Sequence, residues 1–269
     1  MIYGTAWKKE KTKELVELAI KKGFRAIDTA CQPKHYREDL VGKGIAQALK
    51  ENNLSREDLF IQTKFTPPSG QDIETIPYNI EDEIEVQVEA SLNKSLENLQ
   101  VEYIDSLLLH SPISPYIDMK KAWKVLEKFV LEGKIKHLGI SNIYDSKLLE
   151  YFYNDEDITF KPVIIQNRFY KQTNYDRDIR AFCENHEMMY QSFWSLTANI
   201  NHLTSGYFMS LSKKYERTPE QIFYRFLDQI GITPLNGTTS EIHMENDLSI
   251  NDFAIDLEDI VFIESQLYT

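Results

Sequence analysis

The sequence predicts a parallel (β/α)8 TIM barrel, and three observations lead there. Short apolar runs rich in β-branched residues alternate with amphipathic helical stretches along almost the whole chain, the pattern that builds a parallel sheet. Eight such strand–helix repeats can be counted, with no Pro/Gly/Ser-rich linker between them. No G-x-G-x-x-G follows any strand, which argues against the open doubly wound sheet that the same alternation permits. Positions 1–269 are therefore read as a single barrel domain, a length ordinary for one α/β barrel.

Ile2, Tyr3 and Gly4 open the series as a short strand. Positions 10–22 carry Leu15, Val16, Leu18, Ala19 and Ile20 at helical spacing, ended by Gly23. Positions 24–27 form the second strand, closed by Asp28, and a helix is expected over about 38–51. Ser55 caps the turn into a third strand over 59–63, closed by Lys64. Pro67, Pro68, Gly70 and Pro77 make 65–79 a surface loop. Ile84, Val88, Leu92 and Leu96 then mark a helix over 82–99. Strands over 103–109, 135–140, 163–165, 188–193 and 230–233 complete the eight, with helices over 120–131, 146–153 and about 257–267. The chain enters its first strand at once and stops soon after its last helix, so both terminal extensions are short.

Composition narrows the function. A net charge of −12 argues against nucleic acid, which needs a basic face, and is the usual mark of a soluble protein. No apolar run approaches the ~18 residues of a membrane span, and the first residues lack a secretory profile. Cys31 and Cys183 are too few for a disulfide framework, which favours a reducing cytoplasm.

Asp28, Lys64 and His110 each close a different strand. Residues at strand C-termini of such a barrel converge on one face, where chemistry is placed. Taken singly each has a plain explanation: an ion pair at a sheet end for Asp28 and Lys64, a half-buried histidine for His110. Together they suggest an acid–base centre. An ammonium held charged by Asp28 would lower the pKa of a nearby phenol, which could then give a proton to a developing alkoxide. His110 could hydrogen-bond the same oxygen. Tyr36, in the loop after Asp28, offers the phenol, and His35 is a competing acid–base group. A metal-dependent hydrolase is disfavoured, because no companion His, Asp or Glu stands at ligand spacing.

These residues carry a resemblance to the aldo-keto reductases. It rests on Tyr3-Gly4-Thr5, the run from Gly23 to Ala30, Val41-Gly42, Thr63-Lys64, the run from Leu107 to Pro112, and the run from Leu138 to Asn142. The resemblance implies an NADPH-using barrel enzyme with Asp28, Tyr36, Lys64 and His110 as its catalytic tetrad and Tyr36 as proton donor. The loop from Asp28 to Val41 is about two residues longer than the usual pattern. Counting back from Val41-Gly42 reaches His35 or Tyr36, and only Tyr36 is a phenol.

Similarity also implies cofactor contacts from Gly4, Thr5 and Asp28, and from Ser141, Asn142 and Gln166 around the nicotinamide carboxamide. Alignment on Ser192 puts Gln191 at the ring-stacking position and leaves Ser192 as a backbone or hydroxyl contact. After strand eight the family's lysine and arginine for the adenosine 2′-phosphate become Leu235 and Glu241. Asn236, Thr238, Thr239 and Ser240 remain to bind phosphate with helix-terminal amides. Losing both cations weakens discrimination of NADP from NAD, so NADH is expected to serve as well. Trp7, Phe65 and Trp194 are candidates for an apolar substrate wall.

The function expected is reduction of small-molecule aldehydes or ketones by a monomer or weak homo-oligomer, with an open pocket of broad, low-affinity substrate use. The other reading is a nicotinamide-binding regulatory or scaffold protein with little turnover.

Overall fold

The computed structural model describes residues 1–268. Eight parallel strands close into a barrel in sequence order: β1 Ile2–Gly4, β2 Ala26–Asp28, β3 Phe60–Phe65, β4 Ile104–Leu109, β5 Ile135–Ser141, β6 Ile164–Arg168, β7 Met189–Phe193 and β8 Ile232–Asn236. The ring is closed by β1 pairing with both β2 and β8. Around it run α1 Thr12–Lys22, α2 Glu38–Glu51, α3 Ile84–Leu99, α4 Tyr116–Leu131, α5 Ser146–Asn154, α6 Arg177–Asn185, α7 Ile200–Leu203, α8 Gly206–Tyr215, α9 Pro219–Gln229, α10 Glu241–Leu248 and α11 Leu257–Leu267.

Local chemistry fixes the helices. The α1 stripe Leu15, Val16, Ala19 and Ile20 is buried. Gly23 at φ 119° ends the helix by donating to the Ala19 and Ile20 carbonyls, a left-handed turn that glycine takes without a Cβ clash. Thr218 and Gln221 cap α9 reciprocally, with Pro219 in the first turn. Gly42 lets α2 touch the end of α3, where a Cβ would lie 2.7 Å from the Leu99 Cα. All six residues of β4 are buried, as expected of a strand covered on both faces.

Three strands run two or three residues past the end that the sequence predicts. β3 runs to Phe65, so Lys64 lies inside the strand. β6 extends through Arg168, and β8 through Asn236. Polar residues there hid the strands from a reading keyed to apolar runs. Lys64 and Gln166 bond Asp28 inside the barrel, and Asn236 bonds Asp247 of α10 outside it, which lets polar side chains continue a strand. The connection after β7 holds α7 and α8 before α9. Among the described residues, no helix is long and apolar enough to cross a membrane.

Candidate active site

Side chains alternate between the barrel interior and the helices. On β3, Gln62 and Lys64 reach Asp28 inside the barrel, whereas Thr63 reaches Glu38 of α2. The ion pair is nearly sealed from solvent, Lys64 at 1% and Asp28 at 2% exposure. The Lys64 Nζ donates to Asp28 Oδ1 at 2.6 Å, to Oδ2 at 2.7 Å and to the Thr29 carbonyl at 2.9 Å. All three ammonium protons are thus committed.

Beneath the pair lies a belt of glutamines. Gln62 and Gln166 donate to Asp28 Oδ1 at 2.7 and 3.0 Å. Both also donate to Gln191 Oε1, and Gln191 donates back to Gln62. A buried carboxylate needs such donors, because leaving a charge unsatisfied in a low-dielectric interior is costly. Burial pushes the Lys64 pKa down, opposed by the charges of Asp28 and then Glu38.

Tyr36 reaches the pair from the β2–α2 loop, where the His35 and Tyr36 amides both donate to the Gln32 carbonyl. Lys64 Nζ is 5.6 Å from its ring centre, and the His110 ring meets it edge-on at 6.0 Å. Its hydroxyl forms no hydrogen bond within the described protein. The longer loop therefore delivers the phenol to the ion pair. The expected lowering of its pKa is not found: burial, then the charge of Asp28, pushes it well up. The reason is geometric, since the Lys64 protons face Asp28 and Thr29 rather than the phenol. Tyr36 is a protonated acid at neutral pH.

His110 follows β4, its amide bound to the Phe65 carbonyl at 2.8 Å. Burial, then Lys64 and His35, push its pKa down to about 3, so the imidazole is neutral. Its Nδ1 is 2.6 Å from the Thr66 hydroxyl. With Thr66 donating, the ring proton resides on Nε2, available to a substrate oxygen. His35 instead packs against Trp7, ring centres 3.8 Å apart and tilted by 35°.

Ser141, Asn142 and Gln166 converge at the ends of β5 and β6. The Ser141 hydroxyl donates to the Gln166 carbonyl at 2.8 Å, and Asn142 Nδ2 donates to the His110 carbonyl at 2.9 Å. The Gln166 amide donates to Asp28 and Gln191, so its Oε1 is the atom left to accept from a primary carboxamide. Gly4 stands opposite Asp28 in the β1–β2 register, and Thr5 bonds the Asp28 carbonyl through both amide and hydroxyl.

Four expectations are corrected by the direction in which the side chain points. Gln191 is fully buried in the glutamine belt and cannot stack on a ring at the barrel mouth. The residue in phase with it, Phe193, ends β7 half-buried at the mouth, paired in register with Arg168. Ser192 points to the other face, where its buried hydroxyl accepts from Ser195. Asn236 also points outward, donating to Asp247 of α10 and accepting the Thr238 amide. Phe65 packs outward against Tyr78 at 1% exposure. Trp7 and Trp194 are exposed, at 66% and 51%.

The loop after β8 keeps Gly237 and Thr239 exposed, while the Thr238 hydroxyl accepts the Ser240 amide and the Ser240 hydroxyl caps α10. Glu241 pairs with Lys22 of α1. A cation nevertheless reaches the loop: Lys8 donates from the β1–α1 connection to the Gly237 carbonyl, and burial pulls its pKa down to about 8. Phe193 could have been found by continuing the alternation from Gln191. Nothing in sequence spacing pointed to Lys8.

A family model described as the aldo/keto reductase family matches residues 1–199. Glyoxal reductase from Bacillus subtilis is 29% identical, over 94% of this chain and 82% of its own. An aldo-keto reductase enzyme from a Medee basin deep-sea metagenome library superposes with a TM-score of 0.83 at 25% identity, over 99% of this chain and 90% of its own. A Bombyx mori aldo-keto reductase solved in complex with NADP gives 0.82 at 24% identity, over 98% and 88%.

Proposed function

The chain belongs to the aldo/keto reductase family, and on that premise we propose that it reduces small-molecule aldehydes or ketones with Tyr36 as the proton donor. The observation that carries this reading is the Tyr36 phenol, unpartnered and protonated, beside the buried Lys64–Asp28 pair and the edge of His110.

The polar cluster of Ser141, Asn142 and Gln166 suits a carboxamide, and Phe193 at the mouth offers a ring to stack on nicotinamide. These residues would hold NADPH. Bound there, the nicotinamide supplies the hydride. Everything else is done by the protein. His110 Nε2–H fixes the carbonyl oxygen, and Tyr36 passes its proton to that oxygen as negative charge develops. Lys64, locked to Asp28, places a positive charge near the phenolate that remains, at little reorganisation cost. The glutamine belt keeps Asp28 from turning away. The site gives no support to the non-catalytic scaffold.

Leu235 and Glu241 leave the phosphate loop without its family cations, and Lys8 replaces only one of them, so we propose a weaker preference for NADPH in which NADH also serves. The protein acts as a monomer or weak homo-oligomer in the reducing cytoplasm, and the buried free thiols of Cys31 and Cys183 support that compartment. Initial rates with 4-nitrobenzaldehyde test both points. Turnover with each cofactor at comparable catalytic efficiency is expected. Cofactor binding without turnover would overturn the reductase reading, and a preference of several hundred-fold for NADPH would overturn the cofactor reading.

A further inference from the structure

We propose that Arg168 forms an anion subsite at the barrel mouth that selects carbonyl substrates bearing a carboxylate; this rests on the reductase reading above.

Arg168 is the last residue of β6, two beyond Gln166 on the same inward face. Gln166 donates to Asp28, so at the rise of a strand Arg168 starts about 7 Å farther along β6 toward the barrel mouth. That suits a substrate whose carbonyl sits at Tyr36 and whose far end reaches the mouth.

The guanidinium is prepared for an anion and has none. Six of the eight arginines, Arg25, Arg37, Arg56, Arg180, Arg217 and Arg225, donate to protein oxygens, and Arg177 at the start of α6 lies over the Tyr268 ring. Arg168 donates from its backbone only, to the Tyr144 hydroxyl at 3.1 Å. Its Nε is buried without a partner, and no acid pairs with it among the described residues, in a chain with 42 Asp and Glu.

Aromatic rings hold it in place instead. Its guanidinium carbon lies 4.1 Å from the centre of the Trp194 ring, 5.2 Å from Tyr170 and 5.9 Å from Phe193. Trp194 adopts φ 59° to do this, a left-handed conformation that bulky side chains rarely take and that concentrates at functional sites. A guanidinium fixed by stacking loses little freedom on binding, and its planar fork matches a carboxylate. Partial exclusion of water at the aromatic collar strengthens the pairing.

The test compares 4-carboxybenzaldehyde with its neutral ester, methyl 4-formylbenzoate, in wild type, Arg168→Gln and Arg168→Lys, with NADPH affinity measured by fluorescence titration. Wild type is expected to favour the carboxylate in kcat/KM. Arg168→Gln should lower the acid-to-ester ratio by roughly tenfold to a hundredfold, chiefly through KM for the acid, as loss of charged hydrogen bonds does. Arg168→Lys should restore part of it. Salt should erode the wild-type preference. An unchanged ratio in Arg168→Gln, with both aldehydes still reduced, would overturn the subsite alone. Weakened NADPH binding by the same factor as the ratio would also overturn it, by assigning Arg168 to the cofactor. Failure of wild type to reduce either aldehyde would overturn the reductase reading instead.

Discussion

The two halves of the barrel mouth are built on different logic. At the ends of β2, β3 and β4, Asp28 and Lys64 meet through their own charges and hydrogen bonds, sealed inside, and His110, held by Thr66, faces the same Tyr36 ring. On β7 and β8, the polar residues Ser192 and Asn236 turn to the outer face and serve packing. There the mouth is furnished by Phe193 and, from another loop, Lys8. On the function proposed above, the first half serves as a preorganised reaction centre and the second as a surface for holding a large ligand. Chemistry needs fixed partners, whereas a ligand-holding surface needs exposed rings and amides.

That contrast also explains what the sequence made legible. Unlike charges at successive strand ends are readable without knowing the pleat, because few other arrangements would keep them buried. Position near Ser192 is not enough on β7, since a shift of one residue reverses the face. Gln191 and Phe193 share a face, and Ser192 lies between them on the other. Thr66, Lys8 and Arg168 were missed because their partners are distant in sequence or, for Arg168, because the signal is the lack of one. The barrel itself was plain from its alternation, but Lys64, Arg168 and Asn236 show that polar residues extend strands beyond their apolar runs.

The largest expected effect breaks the first half. Lys64→Met leaves the Asp28 charge buried against neutral amides, a loss of about 3–5 kcal/mol in urea unfolding. Adding Asp28→Asn should recover much of it. A near-neutral single variant would mean that Asp28 is held by the glutamine belt alone.

A smaller effect separates the two faces of β7. Phe193→Ala should weaken NADPH binding by about tenfold through the lost ring contact. Gln191→Ala should instead cost stability, about 1–3 kcal/mol from belt partners left unsatisfied. Reversal of the two patterns would restore Gln191 to the cofactor.

A third effect, visible only through pH, concerns β8. Burial, then Glu220, push Asp247 up to about 7 from the ordinary carboxylate value. The folded state therefore holds this proton more tightly than the unfolded chain. Its contribution to stability is full below the unfolded pKa near 4 and is lost as pH rises through about 7. Asp247→Asn should be more stable than wild type at pH 8.5, with the gain disappearing below pH 4. A pH-independent difference would place the Asp247–Asn236 contact outside the titration.

The phenol decides the whole account. Steady-state reduction of 4-nitrobenzaldehyde by Tyr36→Phe and His35→Phe, with NADPH affinity measured in parallel, tests it most directly. Tyr36→Phe is expected to lose roughly a hundredfold to ten-thousandfold in kcat, the range of general-acid catalysis, with cofactor affinity within about threefold of wild type. His35→Phe should lose only severalfold, through the displaced Trp7 contact. A loss of only severalfold in Tyr36→Phe, or an equal loss in His35→Phe, would contradict the assignment.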